Sequence, residues 1–188
     1  MLFRSDETEL RRYIQENKDQ KLVSALIYID NYEEALEGVE EVRRPLLTAL
    51  VDRKINKYFQ NIDAIVKKLE KDKFLVVFQQ KYLQQLQTTK FALLDEVRSI
   101  NIGNEIAVTL SIGLGVGFPS YIQAYDASRV SIDLALGRGG DQAVVKDGEQ
   151  IYYYGGKSQG VEKNTRVKAR VKAHALREVL ETKDQVLI

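Results

Sequence analysis

Cysteine and tryptophan are absent from these 188 residues, histidine occurs once and proline twice. Without cysteine there is no disulfide framework, no thiolate zinc site and no cysteine nucleophile. The single histidine, His174, excludes any site built on two imidazoles, and a Ser-His-Asp triad would rest on that residue alone. No apolar run approaches the roughly 18 residues that a membrane-spanning helix needs. The opening MLFRSDETEL is charged within four residues, which is not a signal-peptide pattern. These absences predict a soluble chain in a reducing, intracellular setting. What is present is a hydrophobic fraction of 44%, enough for the core of one domain.

The patterning alternates between two periods. Residues 6–18 are polar, with acids first and a lysine last, as the dipole of a short helix favours. KLVSALIYID, residues 21–30, is short, apolar and partly β-branched, so it predicts a strand buried on both faces. Asp30 or Asn31 is placed to cap the helix that starts at Tyr32, and Gly38 allows it to break. Pro45 suits a first helical turn, followed by a helix over 46–60. Residues 62–78 hold two β-rich runs around a charged centre, a hairpin without the Asn-Gly signal. Helical periodicity returns over 80–99. EIAVTLSIGLGVG, residues 105–117, predicts a strand whose spaced glycines let another backbone approach closely. A helix follows over 121–136, ended by the glycines of LGRGGDQ. Residues 142–146 and 149–154 then pair across Asp147-Gly148.

This order predicts an α+β fold with one central, mostly antiparallel sheet flanked by helices. Residues 1–20 form a connector helix, 21–155 the domain and 156–188 a basic linker helix, helical over 165–181. The near-neutral net charge conceals a division. Residues 1–150 carry net −3 and residues 151–188 carry net +4. A basic helix face is more often solvated than a nucleic-acid site, and the acidic body argues against a nucleic-acid partner.

The element order resembles that of GGDEF-type nucleotide cyclase domains, a relative of the ferredoxin-like fold. In that family the first strand ends in an acidic metal-binding motif. The hairpin tip carries Gly-Gly-Asp/Glu-Glu-Phe, whose first acid is a metal ligand and catalytic group. Here the strand ends Tyr28-Ile29-Asp30 and the tip reads Glu70-Lys71-Asp72-Lys73-Phe74. A closer resemblance covers the whole chain. IYIDNYEEAL (27–36), LEKDKFLVVF (69–78), DLALGRGGDQAVVK (133–146) and RVKARVKAHALRE (166–178), in this order, resemble the GdpP/YybT group of bacterial cyclic-di-AMP phosphodiesterases. That resemblance implies a degenerate GGDEF domain between a PAS-like sensor and a DHH/DHHA1 hydrolase. It also implies a parent on the cytoplasmic face of the cell membrane and a homodimer as one possible assembly. KDQVLI would begin the DHH module, which is otherwise missing.

The resemblance implies a site as well. Asp72 takes the place of the catalytic acid, and Asp30 and Asp72 are the candidate ligands for Mg2+ or Mn2+. Asp30, Lys71, Asp72, Lys73 and Arg138 are the candidate nucleotide contacts. All but Asp72 have a plainer alternative: Asp30 as a helix cap, Lys71 and Lys73 as solvated tip charges, LGRGGDQ as a helix stop. Tyr28 stands where the family has a second carboxylate. Leu36 and Pro45 fall near its guanine-reading positions, and both are apolar. The expected function is a regulatory domain that binds nucleotide, ATP over GTP, with weak ATPase activity at most and no diguanylate cyclase activity. The alternative is an inert structural or dimerisation relay.

Overall fold

The computed structural model describes residues 3–155, with side chains from Thr8 onward. The basic helix expected over 165–181, the strand expected at KDQVLI, His174 and Arg166–Arg177 lie outside the described residues. Six strands form one sheet in the order β2-β3-β1-β4-β5-β6, and only the β4–β5 pair is parallel. The chain runs α1 (Phe3–Gln20), β1 (Leu22–Ile29), α2 (Tyr32–Glu37), α3 (Arg44–Gln60), β2 (Ile65–Glu70) and β3 (Lys73–Gln79). It continues through α4 (Leu83–Thr88), α5 (Leu93–Arg98), β4 (Leu110–Val116), α6 (Tyr121–Gly137), β5 (Gln142–Asp147) and β6 (Gln150–Gly155). The expected α+β architecture is therefore the one observed.

β1 and β4 occupy the centre, which explains why both read as continuous apolar runs. Val23, Ala25, Ile27 and Ile29 of β1 join Ile112, Leu114 and Val116 of β4 in the main core. Leu47, Val51, Ile55 and Phe59 of α3 and Leu93, Leu94 and Val97 of α5 complete that layer. Alternate residues of the same strands point to the opposite face, which α6 covers. The glycines of β4 are there because α6 lies almost on the strand. A Cβ on Gly113 would lie 2.3 Å from the Ile132 amide nitrogen, and one on Gly115 would lie 2.0 Å from the Ala124 carbonyl oxygen. α6 answers with small residues, Ala124, Ala127, Ser128 and Ser131, all buried.

Two expected elements differ. The helix expected over 80–99 is a 3-10 turn and two short helices, broken where Lys90 (φ 51°) and Phe91 (φ 55°) turn left-handed. The break sends Phe91 into the core, its ring 5.2 Å from that of Tyr154. The strand expected from residue 105 begins only at Leu110. Residues 107–109 are held instead by the Asn31 side chain, whose amide donates to Ala107 C=O (2.8 Å) and accepts from Thr109 N–H (3.1 Å). Asn31 occupies the N-cap position of α2, but its side chain makes no cap bond, and neither does that of Asp30.

Candidate functional site

β1 ends beneath the β2–β3 hairpin. Ile29 N–H donates to Asp72 C=O at 2.9 Å, and Asp30 N–H donates to Thr109 C=O at 3.0 Å. The first bond fixes the hairpin tip against the strand end. The second places Asp30 between the tip and the start of β4. Its carboxylate points inward, where Oδ1 accepts from the Ser111 hydroxyl (2.6 Å) and Oδ2 from Asp141 N–H (2.8 Å). Burial pushes the Asp30 carboxyl up to about 6, although these hydrogen bonds act to lower it and the neighbouring Asp141 charge adds to the rise.

The turn after α6 is shaped around this carboxylate. Gly139, Gly140 and Asp141 are all left-handed, and a Cβ on Gly140 would lie 2.7 Å from Asp30 Oδ2. Gly139 and Gly140 N–H groups close the helix onto Leu136 and Ala135 carbonyls, so LGRGGDQ is a helix stop, as one of its alternatives held. Asp141 is only 2% exposed. Its Oδ1 accepts from Arg98 Nη2 at 2.5 Å, while its Oδ2 has no hydrogen-bond partner. The paired carboxylate raises the Arg98 guanidinium still further. Sequence reasoning missed Arg98 and Ser111 and did not connect Asp141 to Asp30. The available signal was an aspartate directly after two glycines, in a segment already singled out.

The tip cations lie around the strand end. Lys71 and Lys73 flank Asp72 in the turn, and Tyr28 and Tyr32 flank Asp30 in β1 and α2. Lys73 Nζ lies 5.4 Å from the Tyr28 ring centre, and Lys71 Nζ lies 5.6 Å from that of Tyr32. Each ammonium also has a carboxylate: Lys71 pairs with Glu33, and Lys73 pairs with Glu70 at 2.7 Å. Asp30, Lys71, Asp72 and Lys73 are thus brought to one end of the sheet. Arg138 shares that end, but its contacts are with Gln142 (3.3 Å) and the Tyr153 ring (4.4 Å to its centre).

A divalent cation needs converging oxygen ligands. Among the described residues no three Asp, Glu, His or Cys side chains are grouped to hold one. Asp30 is engaged by two inward donors, and Tyr28 offers a phenol that burial keeps protonated. The arrangement does not fit a two-carboxylate magnesium site of the kind triphosphate chemistry uses. Leu36 packs against the core and Pro45 lies in the first turn of α3. The cleft beside them is acidic, lined by Glu34, Glu37, Glu40, Glu41, Glu105 and Arg44, a surface that repels phosphate.

This sheet, with a hairpin crossing the end of its first strand, is the architecture of GGDEF domains. It is similar to the GGDEF domain of DgcB from Caulobacter crescentus, solved in complex with c-di-GMP: TM-score 0.57 and 16% identity over 76% of this chain and 86% of that one. Residues 27–152 match the family described as cyclic-di-AMP phosphodiesterase GdpP-like, GGDEF domain, and the chain belongs to that family. Over its full length it is 38% identical to the cyclic-di-AMP phosphodiesterase GdpP of Geobacillus thermodenitrificans. It is 37% identical to the cyclic-di-AMP phosphodiesterase PdeA of Listeria monocytogenes. The chain spans 29% of the length of either relative.

Proposed function

We propose that this chain is the regulatory GGDEF domain of a longer, membrane-bound cyclic-di-AMP phosphodiesterase, and that it has no diguanylate cyclase activity. It binds nucleotide at the hairpin end, ATP in preference to GTP, with at most slow ATP hydrolysis. The observation that carries this proposal is the inward carboxylate of Asp30, held by Ser111 and Asp141. A cyclase would need that carboxylate facing the triphosphate. Loss of one charge-stabilising group typically costs about two to three orders of magnitude in rate. Apolar Leu36 and Pro45 support the loss of guanine preference.

The test has two parts. Incubation with GTP and magnesium or manganese is expected to give no cyclic dinucleotide. Calorimetric titration is expected to show ATP binding more tightly than GTP at millimolar or lower nucleotide. Turnover of GTP to cyclic-di-GMP would overturn the first statement, and no heat with either nucleotide would overturn the second.

A second proposal has its own support, since Lys71 and Lys73 are already paired with glutamates. On it the domain is an inert relay between the PAS-like and DHH/DHHA1 modules. Asp72→Ala in the whole phosphodiesterase would then leave its rate and regulation unchanged.

A further inference from the structure

The hairpin tip and the strand end mirror one another. Asp72 has a lysine immediately on either side, and Asp30 has a tyrosine two residues away on either side. The tip is bolted to the strand by Ile29 N–H and Asp72 C=O. Lys73 is the cross-strand neighbour of Tyr28. The two aromatic rings therefore set where the lysine stems lie, and two glutamates set where the ammonium groups end. Glu33 comes from the first turn of α2, on the far side of the strand end, and Glu70 from the last position of β2. The Lys71–Glu33 pair is exposed to solvent and Lys73 is half-buried beside an exposed Glu70, so neither pair is held strongly against another anion.

We infer that Glu33 and Glu70 act as built-in counter-ions that compete with phosphate for Lys71 and Lys73, so that nucleotide enters by displacing them. This rests on nucleotide binding at the hairpin end as proposed above, and it adds the residues that hold that site in check. A polyphosphate carries more charge than one carboxylate. It displaces the glutamates when its local concentration is high, and the tip reports nucleotide level rather than holding nucleotide permanently. Lys71 links the hairpin to α2 through Glu33. Displacement therefore also removes the ion pair that ties those two elements together.

The experiment titrates MgATP into the full 188-residue chain and into Glu33→Gln, Glu70→Gln and Glu105→Gln. Circular dichroism melts check that each variant is folded. Gln keeps the shape and the accepting oxygen but removes the charge. Glu33→Gln and Glu70→Gln are each expected to tighten binding about three- to fivefold, the range an exposed ion pair supports. Glu105→Gln removes the same charge from the acidic cleft without touching either lysine, and no comparable change is expected. Binding to the two lysine-paired variants with none to the wild type would also support the inference. Unchanged affinity in Glu33→Gln and Glu70→Gln, with the wild type binding, overturns the counter-ion role and leaves nucleotide binding standing. Equal tightening in Glu105→Gln overturns it in favour of a general field. No binding in any chain overturns both.

Discussion

At the scale of single residues, Asp30 makes a pH-dependent claim. Its carboxyl titrates at about 6 in the folded chain against an ordinary 3.8. The folded chain thus holds a proton that the unfolded chain has released. By linkage, this group's contribution to stability is complete below pH 3.8, is lost as pH rises to about 6, and is flat above that. The full effect is on the order of 3 kcal/mol. Asp30→Asn removes the titration, so urea midpoints compared from pH 4 to 7 should show the wild type falling relative to the variant. Parallel profiles would refute it. Its neighbour Asp141 is buried against Arg98, whose guanidinium donates to its Oδ1 at 2.5 Å. Arg98→Met leaves a buried carboxylate unpaired and is expected to cost about 3 kcal/mol. Adding Asp141→Asn to that variant should recover part of the loss, since Asn tolerates the left-handed turn. The family resemblance grouped Asp30, Lys71, Asp72, Lys73 and Arg138 as one candidate nucleotide site. What it did not see was the direction in which Asp30 points. That is decided by Ser111 and by the Gly140–Asp141 turn, contacts between residues 81 and 111 positions apart that no local pattern encodes.

At the scale of elements, the strands were legible because β-branched runs and hairpin signals are local. The glycines of β4 were read as a close approach, and the approach is by the backbone of α6. Gly115→Ala should therefore cost about 3 kcal/mol, since backbone on one side and sheet on the other leave no room. Gly139→Ala meets nothing within 4 Å and should cost only about 1–2 kcal/mol, for its left-handed backbone alone. Thermal or urea melts of the two variants give the comparison, and equal losses would disprove the packing account. The break between α4 and α5 was not legible, because no glycine or proline marks it. In its place the Thr88 and Thr89 hydroxyls bond back to the Gln84 and Gln85 carbonyls at 2.8 and 3.2 Å, a habit that loosens helices. Burial of Phe91 then repays the left-handed turn.

At the scale of the molecule, the question is which part of the chain folds as a unit. The sheet and the helices on its two faces bury their core entirely between Val23 and Val145. From Thr8 to Gln20 no side chain of α1 is buried, and Leu10, Tyr13 and Ile14 remain 61%, 59% and 48% exposed. α1 lies against the turn at Gln80–Tyr82, where Gln80 N–H donates to Lys21 C=O at 2.8 Å. That last bond belongs to the strand's own entry and survives removal of the helix. A chain of residues 21–188 is therefore expected to unfold in one cooperative transition, with its Tm within about 4 °C of the whole chain, the shift that about 1 kcal/mol produces at this size. The exposed stripe of α1 supplies the opposing outcome. If it seats on a second copy, the Tm of the whole chain rises with protein concentration and that of 21–188 does not. Scanning both over a hundredfold concentration range decides whether residues 1–20 pair the domain with another copy.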